Sequence, residues 1–178
     1  GYLEFNPHFF IEMDSKIKTF NEEIIKDLNF VDLLNSKDLI KKINTKNKIS
    51  YQSNNFGKKS IKNLNIDLNL AYGRLSVLKN LKVYNSDLNC NGSINLIEEF
   101  PIYYFNCSTK IPDKKIFLKN LNIKYKKKKE PLHINVAGNI NILNKKIYFE
   151  NLIINEETES SEDDLRFFKK SFENILFD

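Results

Sequence analysis

The sequence has little of several residue types on which protein chemistry depends. It has no tryptophan, two histidines, two cysteines and five glycines among 178 residues. The glycines are isolated, so no glycine-rich loop precedes a helix to cradle a phosphate, and nothing resembles a nucleophile elbow or a catalytic triad. His8 and His133 have no cysteine or acidic neighbours at metal-ligand spacing. We therefore expect no metal, no cofactor and no enzymatic activity.

Long apolar runs are also missing. No window approaches the ~18 consecutive apolar residues of a membrane span, and no basic-plus-apolar leader follows Gly1. The length is that of one domain. We expect residues 1–178 to be a single soluble domain excised from a longer protein, so that any targeting or anchoring segment would lie outside this chain.

Arginine is scarce, since only Arg74 and Arg166 among the 28 basic residues are not lysine. Lysine and asparagine have A/T-rich codons, so base bias explains much of the net charge of +5. A nucleic-acid surface would be richer in arginine and gathered on one face, so we expect no nucleic-acid partner. The basic run at 124–129 is either a solvated turn or a contact with anionic lipid headgroups.

Apolar residues alternate with polar ones over most of the chain between Ile61 and Ile154. Rows such as Leu132, Ile134 and Val136 leave Asn, Ser, Lys or His between their members, as a sheet with one wet face requires. Turn residues such as those at Tyr72-Gly73 separate the rows. The pattern predicts a mainly β fold, a curved antiparallel meander over residues 60–155.

A degenerate six-residue pattern recurs within this region: apolar, Lys or Glu, Asn, Leu, any residue, then Ile or Val. Since each copy falls where the alternation already predicts a strand, we interpret the copies as repeated strands. The four copies are Ile61–Ile66, Leu78–Val83, Leu118–Ile123 and Phe149–Ile154.

The ends of the chain predict short helices instead. Residues 1–59 are expected to form a strand followed by a helix pair at about 21–43, in which Ser36 caps a second helix carrying Leu39, Ile40 and Ile43. Residues 156–178 combine an acidic lead-in with an amphipathic helix at about 161–176. Its apolar residues Phe168, Phe172 and Ile175 either pack on the sheet or dock a partner or membrane.

The two cysteines fit a specific hairpin. If the strands near 86–97 and 101–109 turn at Glu98-Glu99, Cys90 and Cys107 lie directly opposite each other on one face. They are then either a cross-strand disulfide in an oxidising compartment or two small buried thiols.

The order of motifs over about residues 60–154 resembles the C-terminal region of AsmA-like proteins. The matching stretches are I-K-N-L-N-I, R-L-S-V-L-K-N-L-K-V, C-N-G-S-I-N-L and P-I-Y-Y-F, and Gly92, Ile94, Asn95 and Leu96 occupy the family's Gly-x-(Ile/Val)-Asn-Leu places. The resemblance implies a periplasmic protein anchored in the bacterial inner membrane, with a possible envelope protein partner. Related bridge-like lipid transport proteins carry phospholipid toward the outer membrane in a β-sheet groove.

The apolar face admits two interpretations that the sequence leaves open. It is a groove for phospholipid acyl chains, or it is the filled core of a structural or partner-docking module without lipid. The residues expected to line it are Ile66, Leu68, Leu70, Leu75, Val77, Leu81, Val83, Ile94, Leu96, Phe105, Leu121, Ile123, Ile134, Val136, Ile140, Ile142, Ile147 and Phe149.

Overall fold

The structure is a computed structural model. It describes residues 1–5, 9–18, 36–53, 61–120, 129–155 and 158–159, together with helical positions 162–163, 165–166 and 169–170.

The described part of the chain is mainly β, as predicted. Ten strands form one sheet in which spatial order is the same as chain order. The strands and helices are β1 (Tyr2–Glu4), β2 (Phe9–Ile17), α1 (Lys37–Ile40), β3 (Ile43–Gln52), β4 (Ile61–Ala71), β5 (Arg74–Val83), β6 (Ser86–Asn95), β7 (Ile102–Ile111), α2 (Lys114–Asn120), β8 (Leu132–Asn141), β9 (Lys146–Ile154) and β10 (Thr158–Glu159).

From β3 to β10 every neighbouring pair is antiparallel, so the predicted meander is confirmed. Strand β5 shows the physical basis, because its side chains alternate between exposed and partly buried along all of Arg74–Val83. Leucine and valine occupy most of the partly buried positions, and polar residues occupy most of the exposed ones. Period-two alternation therefore sorts the side chains onto two faces.

We call one side of the sheet the apolar face and the other the polar face. The cross-strand register places residues on the apolar face by parity. They are the odd-numbered residues of 9–17, 43–51, 75–83 and 103–111, the even-numbered residues of 64–70, 86–94 and 132–140, and Ile147, Phe149, Leu152 and Ile154 of β9.

The N-terminal part differs from the prediction. Helix α1 begins after Ser36 as predicted, but it ends at Ile40, and Ile43 opens strand β3 rather than closing a helix. Strand β3 also pairs parallel to β2, which breaks the antiparallel order. The alternation in β3 was hidden because Thr45 and Asn47 take apolar-face positions. Residues 19–35, where the first helix was predicted, lie outside the described residues.

Helix α2 contradicts one copy of the predicted strand repeat. Leu118 lies in this helix, so the copy Leu118–Ile123 does not begin as a strand. Asp113 starts the helix, since its side chain accepts a hydrogen bond from the Ile116 backbone N–H at 3.1 Å. The Tyr84 hydroxyl holds the other end by donating to the Asn120 carbonyl at 3.1 Å. Asp113 and Tyr84 lie outside the six-residue pattern, so the pattern could not predict the helix. Leu121 and Ile123 lie outside the described residues.

The described positions between Glu162 and Lys170 have helical backbone, within the range predicted for the C-terminal helix. The Lys169 ammonium lies 4.4 Å from the ring centroid of Tyr148, which belongs to the polar face. Phe168, Phe172 and Ile175 lie outside the described residues, so their docking role stays a prediction.

Candidate functional site

The apolar face is the feature of the molecule to which the sequence analysis assigned a function. Every predicted lining residue within β4–β9 lies on it, while Leu96 and Ile142 directly follow β6 and β8 at the same end of the face. Its side chains form rows that run across the strands. Across β4–β9, one row is Ile66, Lys79, Cys90, Cys107, Val136 and Leu152.

One end of the apolar face is covered, and we call it the closed end. Ile40 of α1 packs there with Ile94 and Leu96, and all three side chains are at most 5% exposed. Lys37 of the same helix donates a hydrogen bond to the Glu98 carbonyl at 2.7 Å. The short helix α1 therefore acts as a plug on this end of the sheet.

The opposite end also contains buried residues. Tyr51 and Leu64 pair across β3 and β4 and are 3% and 4% exposed, and Ile111 at the end of β7 is 4% exposed. The apolar face is therefore buried at its two ends and less buried between them.

The middle of the apolar face across β4–β9 consists of two rows of residues that are only partly buried, apart from the buried Gly138. We call them the middle rows. The Phe105 and Phe149 rings meet edge to face there, with centroids 6.2 Å apart on either side of Gly138. The other members are Leu68, Val77 and Gly92, and the row of Ile66, Lys79, Cys90, Cys107, Val136 and Leu152.

Tyr103 extends from the closed end over the middle rows. Its phenol lies over Gly92, where an added Cβ would overlap the ring and hydroxyl. Burial raises the pKa of Tyr103 above its usual value, so the hydroxyl, protonated at neutral pH in any case, stays a donor at more alkaline pH than an exposed tyrosine would. A glycine at this position leaves room for the tyrosine across the strand pair.

Gly138 offers a direct test of the packing in the middle rows. We expect Gly138→Ala to lower the free energy of unfolding by about 1–3 kcal/mol, because the new Cβ would overlap the Tyr148 backbone carbonyl at the β8–β9 bulge. Gly92→Ala is the matched control and should cost less, since its Cβ meets the ring and hydroxyl of Tyr103, a side chain that can turn away, rather than backbone. Urea unfolding measures both, and equal losses would contradict this packing.

Lys79 is the one charged residue on the apolar face among the described strand residues. It is partly buried, lies opposite Ile66 and Cys90, and has Val77 and Leu81 two positions away on its own strand. Lys79 was not among the residues predicted to line this face. The sequence signal for it was a lysine at a position where the alternation in β5 otherwise places apolar residues.

The predicted pairing of the cysteines is the register that the structure adopts. Cys90 of β6 and Cys107 of β7 are direct cross-strand partners, 4.1 Å apart at Cα, and they form a disulfide. The bond lies one strand away from Lys79. It covalently joins the two central strands of the apolar face.

The polar face has a different chemistry. It presents amides and hydroxyls, and a shallow depression of about 580 Å³ includes Tyr104, Asn106, Asn91 and Ser93 in its lining. Within the ranges that the structure describes, no cluster of three or more His, Cys, Asp or Glu residues is arranged to hold a metal ion. Acyl chains need a dry surface, so the apolar face is the better lipid-binding candidate.

Comparisons with known proteins identify no relative. No family model, curated protein or solved structure matches the chain. No helix in the described part of the chain is both long and apolar enough to cross a membrane.

Proposed function

We propose that this chain is a lipid-binding segment of a bacterial envelope protein, and that it holds phospholipid acyl chains on its apolar face without catalysing a reaction. The observation that carries the proposal is the apolar face itself, whose middle rows are only partly buried between two buried ends. Contiguous apolar surface that the fold leaves partly accessible marks a site of contact with a lipid or a partner.

The dimensions of the face suit this ligand. Strands β3 to β9 span about 29 Å at ~4.8 Å per strand, and the face along β5 spans about 27 Å from Leu75 to Val83 at ~3.4 Å per residue. One acyl layer of a bilayer is about 15 Å thick, so the face has room for several chains. Each methylene removed from water contributes about 0.8 kcal/mol, and no specific polar group is required.

Two further observations support the cellular setting that we propose, a periplasmic protein anchored to the inner membrane by a segment outside this chain. A disulfide between Cys90 and Cys107 suits an oxidising compartment. The resemblance to AsmA-like proteins suggests movement of phospholipid between inner and outer membranes, with an envelope protein as a further partner.

Photo-crosslinking tests the proposal in the full-length envelope protein. A photoreactive phenylalanine analogue at Val77 or Phe105 should capture phospholipid, because both positions lie in the middle rows. The adjacent positions Leu78 and Tyr104 face the other side and are the matched controls, each about half exposed at 52% and 53%. Mass spectrometry of the adducts identifies the captured molecule.

Lipid adducts confined to the apolar-face positions would support a lipid-binding face. Equal capture on both faces would indicate non-specific contact and would contradict the proposal. Absence of lipid adducts at all four positions, together with absence of lipid in an organic extract, would favour the alternative of a structural module with a filled core.

A further inference from the structure

Lys79 lies in the middle of the apolar face, between Ile66 and Cys90. A charged group on an apolar surface is costly unless it is paired or reaches water. Among the described residues, Lys79 has neither a hydrogen bond nor a salt bridge. The ammonium of Lys79 is therefore available to an anion from outside the chain.

The acidic residues of the neighbouring strands do not face Lys79. Asp67 of β4 and Asp87 of β6 lie on the polar face by register. Glu150 of β9 also belongs there, since its carboxylate accepts a hydrogen bond from Asn139 at 3.0 Å. The apolar face thus has a positive charge and no negative charge in strands β2–β9 as described.

A hydrogen-bond donor lies over the residue that is diagonal to Lys79 on the same face. Gly92 is the diagonal neighbour of Lys79 across β5 and β6, a separation of about 7–8 Å, and the Tyr103 hydroxyl lies over Gly92. A phosphate group placed between the two side chains would accept from both. Ammonium and neutral hydroxyl together favour an oxyanion ligand.

We propose that Lys79 and Tyr103 bind the phosphate of an anionic phospholipid whose acyl chains lie on the apolar face. This inference rests on the proposed function and adds a headgroup preference to it. A phospholipid with net negative charge, such as phosphatidylglycerol, matches an unpaired cation, whereas the positive charge in the headgroup of a zwitterionic lipid competes with Lys79 for the same phosphate.

The position of Lys79 also suits the length of a lipid. Leu75, which packs against the closed end, lies four positions before Lys79 on β5. An acyl chain that follows the strand from Lys79 to Leu75 therefore has about 14 Å. An acyl layer occupies about 15 Å. A lipid with its phosphate at Lys79 can therefore direct one chain along the strand until it meets the Ile40 plug.

The test is a competition between two lipids for the purified full chain. The protein is incubated with mixed vesicles of phosphatidylglycerol and phosphatidylcholine in equal amounts at ~0.15 M salt and then separated from the vesicles, and the bound lipids are quantified by mass spectrometry. We expect wild type to favour phosphatidylglycerol by about tenfold, the effect of one charge-assisted hydrogen bond.

The variants separate this role from general effects of charge. Lys79→Met should abolish the preference and Lys79→Arg should keep it, whereas Tyr103→Phe should lower the bound amount of both lipids about threefold, because both carry the phosphate. Lys46→Met is the control, because Lys46 is an exposed lysine of the polar face and its loss changes net charge equally. The preference of this control should equal that of wild type.

The outcomes distinguish the two proposals. If wild type binds both lipids equally and Lys79→Met binds the same ratio, Lys79 only extends to solvent and the headgroup inference is wrong, while lipid binding stands. If Lys46→Met loses the preference as Lys79→Met does, general charge explains it and the inference is again wrong. If wild type binds neither lipid, the proposed function itself fails.

Discussion

Replacing Leu96 by alanine should lower the free energy of unfolding by about 2–5 kcal/mol, the largest loss that we expect from one substitution in this chain. Leu96 is 2% exposed and packs against Ile40 and Ile94. Truncation removes apolar contacts and leaves a cavity that a sheet and a one-turn helix can close only in part. It also weakens the plug that α1 forms at the closed end.

Leu78→Ala is the matched control for this prediction. The same atoms are removed, but Leu78 is 52% exposed on the polar face, so we expect a change within about 0.5 kcal/mol. Urea unfolding of both variants beside wild type measures the contrast. Similar losses would mean that the closed end is not a packed core.

The second large effect concerns the disulfide. Exchanging both Cys90 and Cys107 for alanine should destabilise the protein by about 3 kcal/mol, since the bond closes a loop with a sequence separation of 17 residues and restricts the unfolded chain. The two strands keep their backbone pairing, so we expect a less stable sheet with the same register.

Reduction provides the control for the cysteine variant. A reductant should lower the unfolding midpoint of wild type and leave the double variant unchanged. A maleimide reagent should label neither cysteine in denatured, unreduced protein purified from an oxidising compartment. Labelling of both thiols under these conditions would show that the bond does not form and would remove one support for the periplasmic setting.

Much of the sheet could be predicted because alternation is a local property. Each of Leu75, Val77, Leu81 and Val83 needs only its immediate neighbours to show which face it takes. The cysteine register followed from the position assumed for a single turn, since the connection at 96–101 determines which residues of β7 lie opposite β6. Secondary-structure predictions were wrong where contacts with residues outside the local pattern determine the structure. Asp113 and Tyr84 hold Leu118 in a helix although its local pattern favoured a strand.

The sequence by itself determined a mainly β chain with one apolar face and opposed cysteines, because side-chain parity and short turns are encoded within a few residues. Only the tertiary structure decided that β2 and β3 pair in parallel, that Ile40 closes one end, and that Lys79 has no acidic neighbour on its face among the described strands. These features depend on strand order, and strand order brings together residues that no local pattern connects.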